Sequence, residues 1–218
     1  GLHLMSLINS TAIPSGATDY ELEQSLRFNQ PDDATLSKTF ASAGNRRTWT
    51  FSCWAKIGNA NAESGNQLGI FGTYTNGNDT ANIQVDGTSG EFHFEDYSGS
   101  YNALQVTEAK LRDMGAWYHF MVVFDTTQGT AANRVKLYVN GTQMTTKTGG
   151  NNGYPDQNFE GKFNNTAEHK IGMVNGTYCW DGYLGEVNFI DGAAKAPADF
   201  GETGTYGEWK PVEYSGTY

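Results

Sequence analysis

The stretch Thr48-Trp49-Thr50-Phe51-Ser52-Cys53-Trp54-Ala55-Lys56-Ile57 decides how this chain is read. Trp49, Phe51, Cys53 and Ala55 alternate with Thr50, Ser52, Trp54 and Lys56. Successive side chains of a β-strand point to opposite faces, so this spacing gives a strand with one almost wholly apolar face turned to an interior. Shorter segments of the same kind follow at 68–74, 81–85, 91–97, 101–106, 118–124, 135–139, 169–174 and 183–190. Gly, Asn and Asp punctuate nearly every gap between them.

Two of those gaps are explicit turns. Asp86-Gly87 and Asn140-Gly141 tolerate the positive φ values of tight hairpins, which makes the strands on either side antiparallel. Helical periodicity is weak, and only 107–114 and 196–200 offer as much as a turn or two. The stretches 58–65 and 149–165 are too long for tight hairpins and read as rim loops, where binding surfaces usually lie. No fixed-period repeat points to a propeller or solenoid.

Composition agrees with a β fold. The 218 residues include 27 Gly, 13% aromatic and only 17% charged residues, which suits many short strands joined by turns. Fourteen Lys and Arg stand against 24 Asp and Glu, a net charge of -10 that repels phosphate backbones and anionic lipid. Nucleic acid and membrane insertion are therefore not expected as partners, and no apolar run approaches the length of a spanning helix. The start lacks the basic-then-apolar pattern of a signal peptide, and Met5 reads as a natural start preceded by four extra residues. Cys53 and Cys179 are too few and too far apart for a disulfide framework and are expected as free thiols. Arg46-Arg47 reads as a solvated turn.

Five patches then occur in the order found in laminin G-like and pentraxin domains: 25–29 (Ser-Leu-Arg-Phe-Asn), 49–56, 117–123 with Trp117-Tyr118-His119-Phe120, 135–141 ending in Asn140-Gly141, and 170–187 with Asp181-Gly182-Tyr183-Leu184-Gly185-Glu186-Val187. The chain resembles the concanavalin A-like superfamily through these patches. The resemblance implies an all-β, antiparallel two-sheet sandwich of the jelly-roll type, about a dozen strands over residues 25–200, after an extended segment 1–24 and before an aromatic tail 201–218. His119 resembles a structural position of that family. The Asn-rich body and Asp199-Phe200-Gly201-Glu202-Thr203 are similar to domains of tailed-phage virion proteins. That similarity implies a non-catalytic component of a capsid, tail or fibre, displayed on the virion surface, self-associating, meeting other virion proteins and touching host glycans.

Candidate chemistry gathers at loops. Asp79, in Gly77-Asn78-Asp79-Thr80, stands where the family places a calcium-binding aspartate, Asn175, in Asn175-Gly176-Thr177, falls near the region of the family's second ligand, and hard cations want several oxygens. The second loop lacks the family's acidic cluster, and both residues also serve as turn formers. For carbohydrate, Tyr154, Asp156 and Asn158 in one loop and Tyr178, Trp180 and Asp181 in another combine stacking faces with hydrogen-bonding groups. Trp180 and Tyr178 equally suit a plug at one end of the sandwich. A glucanase of the same fold would resemble this chain at Glu91-Phe92-His93-Phe94-Glu95, but His93 replaces the middle carboxylate of the family's strand. A solvated polar face opposite buried Phe92 and Phe94 accounts for the same pattern. The expectation is therefore a non-enzymatic binding or assembly domain, with a calcium-dependent lectin as the alternative and a glycan hydrolase as a second one.

Overall fold

The structure is a computed structural model that describes residues 20–59, 67–113 and 115–218. The proposed start at Met5, most of the extended segment 1–24 and most of the loop 58–65 lie outside the described residues. In chain order the first strands are Leu26–Phe28 (β1), Leu36–Thr39 (β2), Thr48–Ile57 (β3), Gln67–Asn76 (β4), Asp79–Asp86 (β5), Glu91–Tyr97 (β6), Tyr101–Lys110 (β7) and Trp117–Asp125 (β8). Val135–Val139 (β9), Thr142–Gln143 (β10), Glu168–Ile171 (β11), Met173–Val174 (β12), Tyr178–Cys179 (β13), Gly182–Asp191 (β14), Gly201–Thr203 (β15) and Trp209–Pro211 (β16) follow.

Two six-stranded antiparallel sheets form the sandwich, in the orders β1-β14-β3-β8-β9-β10 and β2-β11-β4-β5-β6-β7. The decisive strand β3 sits inside the first sheet, with Trp49 opposite Phe124, Phe51 opposite Val122 and Cys53 opposite Phe120 on β8. The alternation seen in sequence is realised: Trp49, Phe51, Cys53, Ala55 and Ile57 are buried and meet Ile83, Val85, Phe92 and Phe94 of the second sheet within one core. Trp49 organises this interior, stacking on Phe124 at 5.0 Å and meeting Phe163 edge-on at 5.4 Å. Such offset and T-shaped pairs add to the area that the rings remove from water.

The opposite face of β3 is buried too. Beyond β14 the chain folds back, and Phe200 and Tyr214 pack on Met121, Val123 and Ile190 of the first sheet. Thr50 and Ser52, polar residues on this covered face, are satisfied: Thr50 Oγ1 donates to Ala193 O at 2.8 Å, and Ser52 Oγ meets His119 Nε2 at 2.8 Å. His119 is wholly buried and accepts from Trp209 Nε1 at 3.2 Å, which ties the tail to the sheet through a structural histidine.

Three local expectations change. The segment 107–110 continues strand β7 instead of turning helical, because Glu91 on β6 pairs with Lys110 and draws it into the sheet. Asp86-Gly87 does not make a two-residue turn: the left-handed residue is Gly90, and Asp86 Oδ1 instead accepts from the backbone of Thr88 and Ser89. Arg46 and Arg47 are not a free solvated turn, since they reach Glu160 at 3.5 and 2.9 Å and Arg46 Nε donates to Gly161 O at 2.8 Å. These contacts anchor the long loop that carries Phe163 into the core. At 196–200 the turn is a short 3-10 segment, Pro197–Asp199. Asn140 and Gly141 adopt φ of 48° and 75°, the hairpin geometry expected of that pair. Both cysteines are free and buried. Among the described residues no helix is long and apolar enough to cross a membrane.

Candidate functional site

The outer face of the second sheet carries a groove. Its strands β4 to β7 are in register so that Tyr74, Thr80, Tyr97 and Tyr101 form one cross-strand row. Two residues away on β4, β5 and β6, and therefore on the same face, runs a second row of Gly72, Asn82 and Glu95, continued on β7 by Leu104, which a register shift brings opposite Glu95. The first row is aromatic and partly open, with Tyr97 and Tyr101 rings 5.1 Å apart and near perpendicular. The second carries the buried polar pair Asn82, wholly enclosed, and Glu95, nearly so.

The short hairpin of β12 and β13 closes one side. It lies so close to β4 that a side chain on Gly69 would strike Tyr178 O and Val174 N, and one on Gly72 would meet Met173 O at 2.8 Å. Two glycines in β4 thus let the hairpin settle on the sheet. Asn175, at φ 50°, leads the hairpin turn and reaches inward. Its Oδ1 accepts from Thr80 Oγ1 at 2.8 Å and from Asn82 Nδ2 at 3.0 Å, while its backbone N–H donates to Asn82 Oδ1 at 3.3 Å. Asn82 Nδ2 also donates to Glu95 Oε1. Burial pushes the Glu95 carboxyl above the usual carboxylate range, against the opposing hydrogen bonds from Asn82 and Asn175.

Tyr74, Gly77, Thr80, Glu95, Tyr97, Tyr101, Asn175, Thr177 and Tyr178 enclose about 340 Å³. That volume falls within the span of small-ligand sites, roughly 300–1,000 Å³. A fixed hydrogen-bonding floor beside exposed rings is an arrangement that can receive a polar molecule with an apolar face.

The residues proposed from sequence are distributed unevenly around this groove. Tyr178 and Asn175 line it. Trp180 is wholly buried, and Asp181 is buried with Oδ1 held by Arg27 Nη2 at 2.7 Å. Tyr154, Asp156 and Asn158 are exposed and do not line it; their loop pairs with β7 through Gly153 and Leu104, and Asn158 N–H donates to Thr126 O at 2.8 Å. Among the described residues no hydrogen bond or ring contact joins that loop to Tyr178 or Asp181. Tyr74, Tyr97 and Tyr101 line the groove and Asn82 lies in its floor, four residues not singled out in the sequence, whereas Glu95 was considered there only as a glucanase-like carboxylate. Their signal was the two-residue spacing of Thr80 with Asn82 and Glu95 with Tyr97, which has meaning only once strand register is known.

Calcium fits this site poorly. Asp79 Oδ1 is ion-paired with Lys162 Nζ at 2.5 Å, so an ammonium already stands beside the expected carboxylate ligand. Asn175 Oδ1 already accepts two hydrogen bonds. Among the described residues no group of three or more His, Cys, Asp or Glu could hold a metal ion, whereas calcium takes six to eight oxygens.

The glucanase-like strand places Glu91 away from the groove. Glu91 Oε1 lies 2.7 Å from Lys147 Nζ and 3.8 Å from Lys110 Nζ. Burial raises its pKa, but the hydrogen bonds of Lys147 and Ser89 and the charges of Lys147 and Lys110 outweigh this and hold it below the usual range. Glu91 and Glu95 are four residues apart on one strand, about 13 Å at the backbone, and only Glu95 faces the cavity.

A family model described as the concanavalin A-like lectin/glucanases superfamily matches residues 29–198. The chain belongs to this superfamily. Solved structures show the same concanavalin A-like architecture. Domain 4 of AbnA, a GH43 extracellular arabinanase from Geobacillus stearothermophilus, solved with arabinotriose, is 19% identical over 71% of this chain and 65% of that one, with a TM-score of 0.52. Domains LG4-5 of the mouse laminin alpha1 chain are 15% identical over 85% and 50%, with a TM-score of 0.51. The CBM40 of the Ruminococcus gnavus IT-sialidase is 14% identical over 77% of this chain and 96% of that one, with a TM-score of 0.50. This chain therefore spans just under two thirds of the arabinanase domain and half of the laminin pair. At these identities the likeness is one of fold. No curated protein matches the chain in sequence.

Proposed function

We propose that this concanavalin A-like domain is a non-catalytic carbohydrate-binding module that holds a glycan in the groove between Tyr101 and Tyr178. The observation that carries this reading is the pairing of two rows on one sheet face: tyrosine rings at the rim and the Asn82–Glu95–Asn175 hydrogen-bonded floor behind them. Sugar rings offer an apolar face to the former and hydroxyls to the latter. The separation of Glu91 from the cavity supports binding without hydrolysis, because a glycosidase needs two carboxyl groups flanking one bond. The setting we infer is a virion surface, and the similarity of the body and of 199–203 to phage virion domains supports it.

A glycan array read with and without a chelator tests the proposal. Binding is expected to survive the chelator and to fall about tenfold or more in Tyr101→Ala, a loss of about 1.4 kcal/mol per tenfold. Chelator-sensitive binding would restore the calcium-dependent lectin. No binding at all, together with a stable oligomer in light scattering, would leave a purely structural role.

A further inference from the structure

The charge around the groove says which glycans it accepts. Among the described residues lining it none is Lys, Arg or His, and the carboxyl among them, Glu95, faces the cavity from the floor. Two cations of this region are engaged: Lys162 Nζ holds Asp79 at 2.5 Å, and Lys170 Nζ, beside the β12–β13 hairpin, lies 3.5 Å from Glu168. The donors that turn towards Glu95, the side-chain amides of Asn82 and Asn175, are already spent on it and on each other. A hydroxyl entering here finds oxygen acceptors. A carboxylate finds a like group and, among the described lining residues, no cation to neutralise it, and such juxtaposition disfavours the charged form of both.

Resting on the reading of the groove as a glycan site, we propose that it selects uncharged sugars and rejects sialic and uronic acids, with Glu95 as the residue that sets this preference. The floor then works by exclusion as much as by attraction. Burial, which already raises the Glu95 pKa, makes the added cost of a second negative charge larger than it would be at an exposed site.

The test is a set of matched oligosaccharides, each printed as the neutral chain and as the same chain capped with sialic acid or ending in a uronic acid, bound at neutral pH and moderate salt. Neutral members are expected to bind at least tenfold more tightly than their acidic counterparts. Glu95→Gln, checked by thermal melting to be folded, is expected to shrink that ratio to within about threefold, because the amide removes the repelling charge. Acidic members binding as well as neutral ones to the wild-type protein would overturn the selectivity while leaving the groove as the glycan site, provided Tyr101→Ala still weakens them. Neutral binding that Tyr101→Ala leaves untouched would instead overturn the groove itself. The wild-type comparison needs no variant, so a misfolded Glu95→Gln does not remove the test.

Discussion

His119 carries the clearest pH signature at the scale of single residues. Burial lowers its pKa to about 4 from 6.5. Because Trp209 Nε1 donates to Nδ1, the proton of the neutral ring sits on Nε2 and points to Ser52 Oγ. The unfolded chain binds a proton at a pH where the folded one does not, so stability rises with pH between about 4 and 6.5. The contribution is whole above that window and is lost as pH falls through it, up to about 3 kcal/mol. His93 and His169, also lowered by burial, add to the slope. Glu95 and Asp96, raised chiefly by burial, oppose it, since protonation relieves them. Ring-nitrogen NMR is expected to show His119 still neutral at pH 5.5, and a midpoint near 6.5 would contradict its enclosure. Trp49→Ala belongs to the same scale: emptying the centre of the core is expected to cost about 3–5 kcal/mol in urea unfolding.

Among the elements, the β12–β13 hairpin links fold to site. Gly69→Ala would press a methyl group on Tyr178 O and Val174 N, so the hairpin must lift. The expected result is a loss of about 1–3 kcal/mol in stability, with glycan binding weakened as Asn175 and Tyr178 move off the groove. Unchanged binding in a folded Gly69→Ala protein would mean that the hairpin does not shape the site. Sequence and structure agree best for elements whose pattern is local. Alternation within 48–57 is complete in itself, and Asn140-Gly141 carries its own turn geometry. The groove was not legible in that way, because its rows join Tyr74, Thr80, Tyr97 and Tyr101 from four strands, with register shifts between Tyr74 and Asn76 and between Asp96 and Tyr97. Register is a property of pairs of strands, and no single strand reveals it. Trp180 shows the converse: an aromatic residue in a Gly-rich stretch looks available for binding, but its neighbours carry it into the core.

Taken as a whole molecule, the sandwich is covered by the tail on one outer face and only in part, by the β12–β13 hairpin, on the other. The segment after β14 shields the first sheet through Phe200, Tyr214 and Trp209, whereas the second sheet keeps its groove clear. Removing 201–218 would uncover Met121, Val123 and Ile190 and leave Ser52 and His119 without their shield. Its expected effect is a loss of several kcal/mol, on the order of two or three large core truncations, read as a lower thermal midpoint together with new binding of a hydrophobic dye. Of the four aromatic rings of the tail, Trp209 and Tyr214 are used within the chain, and Tyr206 and Tyr218 are exposed. Where a sugar docks separates the groove from the long loop. Titrating isotope-labelled protein with a neutral oligosaccharide that binds on the array should shift the amide and side-chain resonances of Thr80, Asn82, Glu95, Tyr97, Tyr101, Asn175 and Tyr178. Shifts gathered instead on Tyr154, Asp156 and Asn158, with the groove silent, would contradict it.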